Sequence, residues 1–368
     1  MTPDPAIRAL HYSDDVERPE NDEDKTTAGL IEALRQIAEK TLSDTGHAMR
    51  GVHAKSQGVL IGELRVLDGL APELAQGLFA TPGRYPVVMR LSTSPGDLID
   101  DRISTPRGMG LKVMGVSGER LPGSEGDATQ DFVLVDGPAF GAPDAKHFLT
   151  NVKLLVGTTD RAEGLKRVLS AVLQGAEKAV ESVGTKSSTL IALGGHPETH
   201  VLGATYYSQA ALRHGDYMAK LSVVPVSPDL TALVNARVDL HDKPDGLREA
   251  VQAFFAAHGG EWEVRVQLCT DLEAMPIENP TVVWPEDLSP YRAVARITVA
   301  AQPSWSPQRA FPADDRLAFS PWHGLAAHRP LGSIMRVRKA VYEASASFRA
   351  TQNHCPIHEP RSLEDLAL

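Results

Sequence analysis

The stretch Trp262-Glu263-Val264-Arg265-Val266-Gln267-Leu268 alternates apolar and polar residues without a break. Successive side chains of a strand point to opposite faces, so this alternation predicts a half-buried strand. Just ahead of it, residues 245–258 carry a helical pattern that ends at Gly259-Gly260. Working outward, strand patterns recur at 200–211, 217–226 and 291–300, and earlier at 59–67, 86–93, 108–116 and 131–136. Helical patterns separate the two groups at 144–156, 161–183 and 188–193. Another helix starts at Thr26, with Leu30, Ile31, Leu34, Ile37 and Ala38 on one stripe and Thr26 or Thr27 as its cap. After a loop at 302–323 the chain closes with a helix over about 333–348. Four strands, a helical crossover, four more strands and a closing helix predict an α+β fold built on an eight-stranded antiparallel β-barrel. Such a barrel leaves no open edge and can enclose a pocket.

The chain has 368 residues, 42% hydrophobic and 23% charged, an ordinary globular composition. It exceeds the ~250–300 residues at which one core usually stops growing, so it is one large domain with additions, or two. The expected division is a polar arm at 1–25, a body at 26–350 and a tail at 351–368. A net charge of −10 argues against a general nucleic-acid binder and against docking on an anionic membrane. Cys269 and Cys355 are the only cysteines, which excludes a disulfide scaffold and points to a reducing compartment. No leader pattern and no apolar run of membrane-spanning length occurs, so the expected address is the cytoplasm. The polar arm permits a homodimer.

Common nucleotide, zinc-protease and serine-hydrolase signatures are absent. Gly108-Met109-Gly110 sits inside a strand pattern and lacks the third glycine of a dinucleotide loop. His354-Cys355-Pro356-Ile357-His358 does not make a closed zinc site and reads as solvated tail.

Two distant segments carry the chemistry. One is Arg50-Gly51-Val52-His53-Ala54-Lys55, just before the first strand. The other is Arg338, Tyr342 and Arg349 on the last helix, which at 100° per residue share one face. A guanidinium hydrogen-bonded to a phenol would stabilise the phenolate and lower its pKa, and a phenolate is a hard ligand suited to ferric iron. The alternative is an amphipathic helix with a surface tyrosine and solvated arginines.

RGVHAKSQG (50–58), MRLST (89–93), TPRGMGLKV (105–113), TQDF (129–132) and then R-x3-Y-x6-R (338–349) occur in this order. In that order and spacing the sequence resembles the haem-binding catalase superfamily over roughly residues 45–350. It is most similar to the short members, the catalase-related peroxidases and allene oxide synthase-like proteins. The resemblance implies haem b as cofactor in a catalase-like domain with a C-terminal haem-binding helix. His53 would be the distal histidine, oriented by Ser92. Tyr342 would be the proximal iron ligand, paired with Arg338. Arg50, Arg90 and Arg349 would hold the two propionates. Val52 matches the catalase type, since the allene oxide synthase type carries a hydroxyl residue there. Phe140 or Phe148 would pack on the distal face.

One departure stands out. The distal asparagine of catalases falls on Asp136, or on Val135 if the register slips by one. An ionised carboxylate cannot donate the hydrogen bond that an amide gives to peroxide. The resemblance therefore implies a haem peroxidase that uses hydrogen peroxide or organic hydroperoxides to oxidise a small organic reductant. Alternatives on the same scaffold are a true catalase, a fatty-acid hydroperoxide isomerase or dehydratase, a non-catalytic haem-binding protein, and a barrel that has lost haem.

Overall fold

A computed structural model describes residues 8–94, 96–103, 105–159 and 198–366. The helices expected at 161–183 and 188–193 lie outside the described residues. Nine strands occur among the described ones: β1 (Lys55–Val66), β2 (Arg84–Thr93), β3 (Arg107–Met114), β4 (Thr129–Val135), β5 (Tyr206–Tyr207), β6 (Leu212–His214), β7 (Tyr217–Pro225), β8 (Gly260–Leu268) and β9 (Arg292–Val299). The described helices are α1 (Glu23–Thr45), α2 (Ala145–Thr159), α3 (Pro228–Thr231), α4 (Gly246–Ala257), α5 (Pro307–Phe311) and α6 (Ser333–Gln352), with short 3-10 and π turns between.

Neighbouring strands pair antiparallel in the order β1-β2-β3-β4-β5-β7-β8-β9, and β9 returns to β1. This ring is the expected closed eight-stranded barrel, with β6 as a short hairpin partner of β7. Alternation fills its interior. Leu60, Met89, Leu111, Leu134, Leu221 and Trp262 are each 0–1% exposed and belong to one cluster. Full burial of such a side chain contributes about 1.5–3 kcal/mol, so the interior is the main source of stability.

The expected strand at 200–211 is the weakest part of the ring. His200 accepts a hydrogen bond from the Leu202 amide (3.2 Å), and Tyr206 donates its hydroxyl to the Val201 carbonyl (2.8 Å). These local bonds fold 201–203 into a 3-10 turn, leaving two residues to bridge β4 and β7. Helix α1 also differs from expectation, because it begins at Glu23 with Asp22 in the cap position. Glu23 and Asp24 suit the positive end of the helix, whereas Thr27 donates to the Glu23 carbonyl (2.8 Å) and cannot cap.

The outer face of β1–β4 carries two layers. Val59, Val88 and Met114 pack against Ala313, Leu317, Phe319 and Leu366. Beyond them α1, α2 and α6 share an apolar cluster that includes Leu34, Val152 and Val341. Arg336 ties this layer together through Glu17, Glu23 and Glu278, each at 2.8 Å. The tail folds back, with Leu366 only 3% exposed, while His354 and His358 face solvent. Among the described residues no helix is long and apolar enough to cross a membrane.

His214 and His328 lie against Phe79, with His328 also against Phe132. Burial lowers both imidazoles, to about 4 for His214 and about 3 for His328, where the charge of His214 adds to the effect. The unfolded chain therefore binds protons first as pH falls below ~6.5, and stability drops from there toward the folded values. Each histidine should cost on the order of 2 kcal/mol between pH 7 and pH 5. Urea midpoints measured at the two pH values should show that loss, and an unchanged midpoint would rule out two buried neutral rings.

Candidate active site

Register puts three rows of residues across the outer face of the first half-barrel. Ser92 pairs with Gly108 and Gly108 with Val135; Arg90 pairs with Gly110 and Gly110 with Val133; Val88 pairs with Lys112 and Lys112 with Asp131. The two glycines leave a bare strip of β3 backbone, and each is covered by a ring. A Cβ on Gly108 would stand 2.7 Å from His53 Nδ1 and 3.0 Å from Ser92 Oγ. A Cβ on Gly110 would stand 2.9 Å from the Phe319 ring. Gly108 is thus the floor under the histidine, a role that the sequence reading missed. The clue was available, since the glycines flank the inward-facing Met109 and so share the outer face.

The chain before β1 delivers His53 in the left-handed region, at φ 53°. Arg90 fixes this bend by donating Nη1 to the His53 carbonyl and Nη2 to the Ala54 carbonyl, both at 3.1 Å. Burial, reinforced by the charges of Arg90 and Arg338, lowers the His53 imidazole to about 4. The ring is therefore neutral at pH 7 and able to accept a proton. The expected hydrogen bond from Ser92 is not formed. Nδ1 is buried without a partner, and the Ser92 hydroxyl points to the Gly108 carbonyl at 3.5 Å. Both groups nevertheless stand on the same glycine.

Arg50, Arg90 and Arg349 converge on residues 313–317. Arg50 donates to the carbonyls of Ala313 (2.7 Å), Asp314 (3.1 Å) and Leu317 (2.9 Å). Arg349 reaches the Asp314 (2.5 Å) and Leu317 (3.2 Å) carbonyls. Arg90 Nε donates to Asp314 Oδ1 at 2.6 Å, and Arg50 touches the same oxygen at 3.2 Å. Asp315 is engaged elsewhere, by His47 (2.6 Å) and Asn353 (3.0 Å). Arg50 and Arg90 thus share the Asp314 carboxylate while Arg349 reaches the backbone carbonyl of the same residue, which the sequence reading did not single out. Burial and mutual repulsion hold Arg50 well below its usual value and Arg349 down to about 10. The charges of Asp314 and Asp315 both act on Arg50 and Arg349, so the three guanidinium groups exceed their carboxylates by one, and this buried positive surplus fits an anionic group.

Tyr342 is half-buried on α6 and shares one apolar cluster with Val52, Phe140 and Phe148. The Phe140 and Phe148 rings meet edge to face at 5.1 Å. Arg338 is not hydrogen-bonded to Tyr342, contrary to expectation. Its guanidinium lies 5.4 Å from the Phe140 ring centre, and Nη1 lies 3.3 Å from Met335 Sδ. The aromatic face and the thioether hold the cation away from the phenol.

Asp136 accepts the Arg107 amide at 2.8 Å and lies 3.7 Å from its guanidinium, which also donates to Thr199 (3.0 Å). The carboxylate is therefore turned out of the row, and Val135 stands beside Gly108.

Asp131, His323 and Glu359 could by spacing hold a cation, with ligand atoms within 4.8 Å of one another. Lys112 already supplies it, with Nζ 2.8 Å from both Asp131 oxygens and 2.5 Å from Glu359. Burial opposes charge on His323, but Asp131 and Glu359 outweigh it and raise the ring to about 9. Glu359 falls to about 2 because Lys112 and His323 overcome its burial. This cluster is an ion-pair network that anchors the tail.

No protein-family model matches the chain, and no curated protein matches it. Solved structures do. A fungal catalase is 18% identical with a TM-score of 0.59, covering 86% of this chain and 62% of its own. Catalase A from Saccharomyces cerevisiae is 17% identical with a TM-score of 0.54, covering 85% and 63%. A bacterial catalase is 16% identical with a TM-score of 0.56, covering 95% and 64%. The chain therefore has a catalase-like fold and spans a little under two thirds of the length of these catalases.

The His53 environment is open to measurement in the cofactor-free chain. Nuclear magnetic resonance of the imidazole should show His53 neutral down to about pH 4. Gly108→Ala should push the ring off its floor and move the titration toward the ordinary ~6.5. A native titration near 6.5 would contradict the burial of the ring.

Proposed function

We propose that the protein is a haem-dependent peroxidase on the catalase fold, cleaving hydrogen peroxide or organic hydroperoxides to oxidise a small organic donor. The observation that carries this reading is the pairing of a neutral His53 with three buried arginines whose charge outweighs the two carboxylates beside them, Asp314 and Asp315. When bound, haem supplies an iron centre that takes the oxidising equivalents of the peroxide. Arg50, Arg90 and Arg349 would hold its propionates, and the Tyr342 oxygen would be the proximal ligand.

The chain's own groups do the proton work. His53 takes the proton from one peroxide oxygen and returns it to the departing oxygen, so neutral alcohol or water leaves. Arg90 holds the His53 backbone while this happens, because its donors lie on the His53 and Ala54 carbonyls. Val52, Phe140 and Phe148 keep water away. The two free cysteines suit a reducing cytoplasm.

Peroxidase is favoured over catalase by the row beside the histidine. Asp136 is committed to Arg107, and Val135 offers no hydrogen bond. A second peroxide molecule would find His53 alone to orient it.

Two experiments test this reading. Tyr342→Phe should lose or strongly loosen haem, while His53→Ala should keep haem and slow peroxide cleavage about 10²–10⁴-fold. An unchanged ferric spectrum in Tyr342→Phe would remove the axial assignment, and intact cleavage in His53→Ala would remove the proton carrier. Val135→Asn should raise oxygen release from hydrogen peroxide relative to donor oxidation. A ratio that stays fixed would mean that residue 135 does not face the peroxide.

A further inference from the structure

Tyr342 has a second neighbourhood, a cavity of about 330 Å³, within the ~300–1,000 Å³ typical of small-molecule sites. Its walls include Tyr342, Ala346 and Ala350 from α6, Trp322 and His323 from the preceding loop, and Glu359 from the tail. None of His53, Arg50, Arg90 or Arg349 lines it. The cavity is therefore separate from the histidine and the arginine trio, and Tyr342 belongs to both.

The space has a sequence cause. From Tyr342 the next two turns of α6 bring Ala346 and Ala350 to the wall, each with only a methyl group, beside Glu343 and Ser347. Two aromatic side chains, Tyr342 and Trp322, remain in the wall. The Trp322 indole is held in place by its bond to the Met335 carbonyl at 2.7 Å. Carboxylates at Asp127, Glu343 and Glu359 line it against one imidazolium, His323. Lys112 and Lys339 pair with Glu359 and Glu343 from outside the lining. The wall thus offers hydrogen-bond acceptors and aromatic faces, with no spare cation for an anionic guest.

We propose that this cavity seats the electron donor, a small planar aromatic alcohol or amine that lies along Tyr342 and gives its proton-bearing group to the carboxylate wall. The inference rests on the peroxidase reading and names its reductant class. The reaction balances with a hydroperoxide as oxidant. One O–O bond breaks and two donor phenols each lose one electron and one proton. The products are one alcohol, one water and two phenoxyl radicals.

The test is a calorimetric titration of the full chain loaded with haem, without peroxide, using 2-methoxyphenol and, separately, ascorbate. Saturable binding of one 2-methoxyphenol per chain is expected, with none of ascorbate. Ala346→Phe should weaken phenol binding by about tenfold or more through filling. Ala350→Leu fills the same space from the next turn and serves where the first variant fails to fold. Absence of saturable phenol binding, or equal affinity in a folded filled variant, would overturn the proposal. So would folded variants that reject haem, because the cavity would then be the cofactor's own seat. Phenol bound here by a chain that turns over no peroxide would keep the binding site and remove the peroxidase reading, so the two fail separately.

Discussion

Three guanidinium groups from three parts of the chain meet one wide turn at 312–316. Arg50 comes from the segment before β1, Arg90 from β2 and Arg349 from α6. Burying such cations costs several kcal/mol each unless donors are matched by acceptors. The turn answers part of that cost with the carbonyls of 313, 314 and 317, which face the arginines. His53 follows Arg50 by three residues and is gripped by Arg90. Tyr342 precedes Arg349 by seven residues, about two helical turns. Barrel, helix layer and both key side chains are thus indexed to one electrostatic point.

That point leaves a charge unbalanced, and the imbalance separates a structural cluster from a receptive one. The Lys112 network elsewhere on the same sheet contains two cations and two anions and closes on itself. The arginine trio sets three cations against Asp314 and Asp315, and Asp315 is shared with His47. Similar burial with a different sum explains why one cluster anchors a tail and the other suits an anionic group.

Much of the barrel was legible because alternation has only one structural meaning when it persists, as in Trp262 to Leu268. The two-residue β5 was not, because His200 and Tyr206 make bonds that no periodicity announces. For the site, spacing on one helix was enough to align Tyr342 with Arg349, whereas the place of Gly108 under His53 and Ser92 came only with the strand register. What spacing could not supply was competition. Phe140 captures Arg338, and Arg107 captures Asp136, through contacts between elements far apart in the chain. Asp314 escaped notice for the same reason, since a carboxylate in a loop has no pattern until three arginines surround it.

The capture of Asp136 belongs to the architecture of the floor itself. Arg107 opens β3 and directly precedes Gly108, so its amide and guanidinium sit at the edge of the strip on which His53 rests. A carboxylate left facing that strip would have drawn a proton or raised the pKa of the imbedded ring, because a nearby anion favours the charged imidazole. Turned toward Arg107, it leaves the ring with only positive neighbours, Arg90 and Arg338, among the charges that shift it. Burial first, and those charges after it, hold the imidazole neutral, and a neutral imidazole is the state that can take a proton. The Asp136–Arg107 pair thus keeps an anion away from a ring whose neutrality it would oppose.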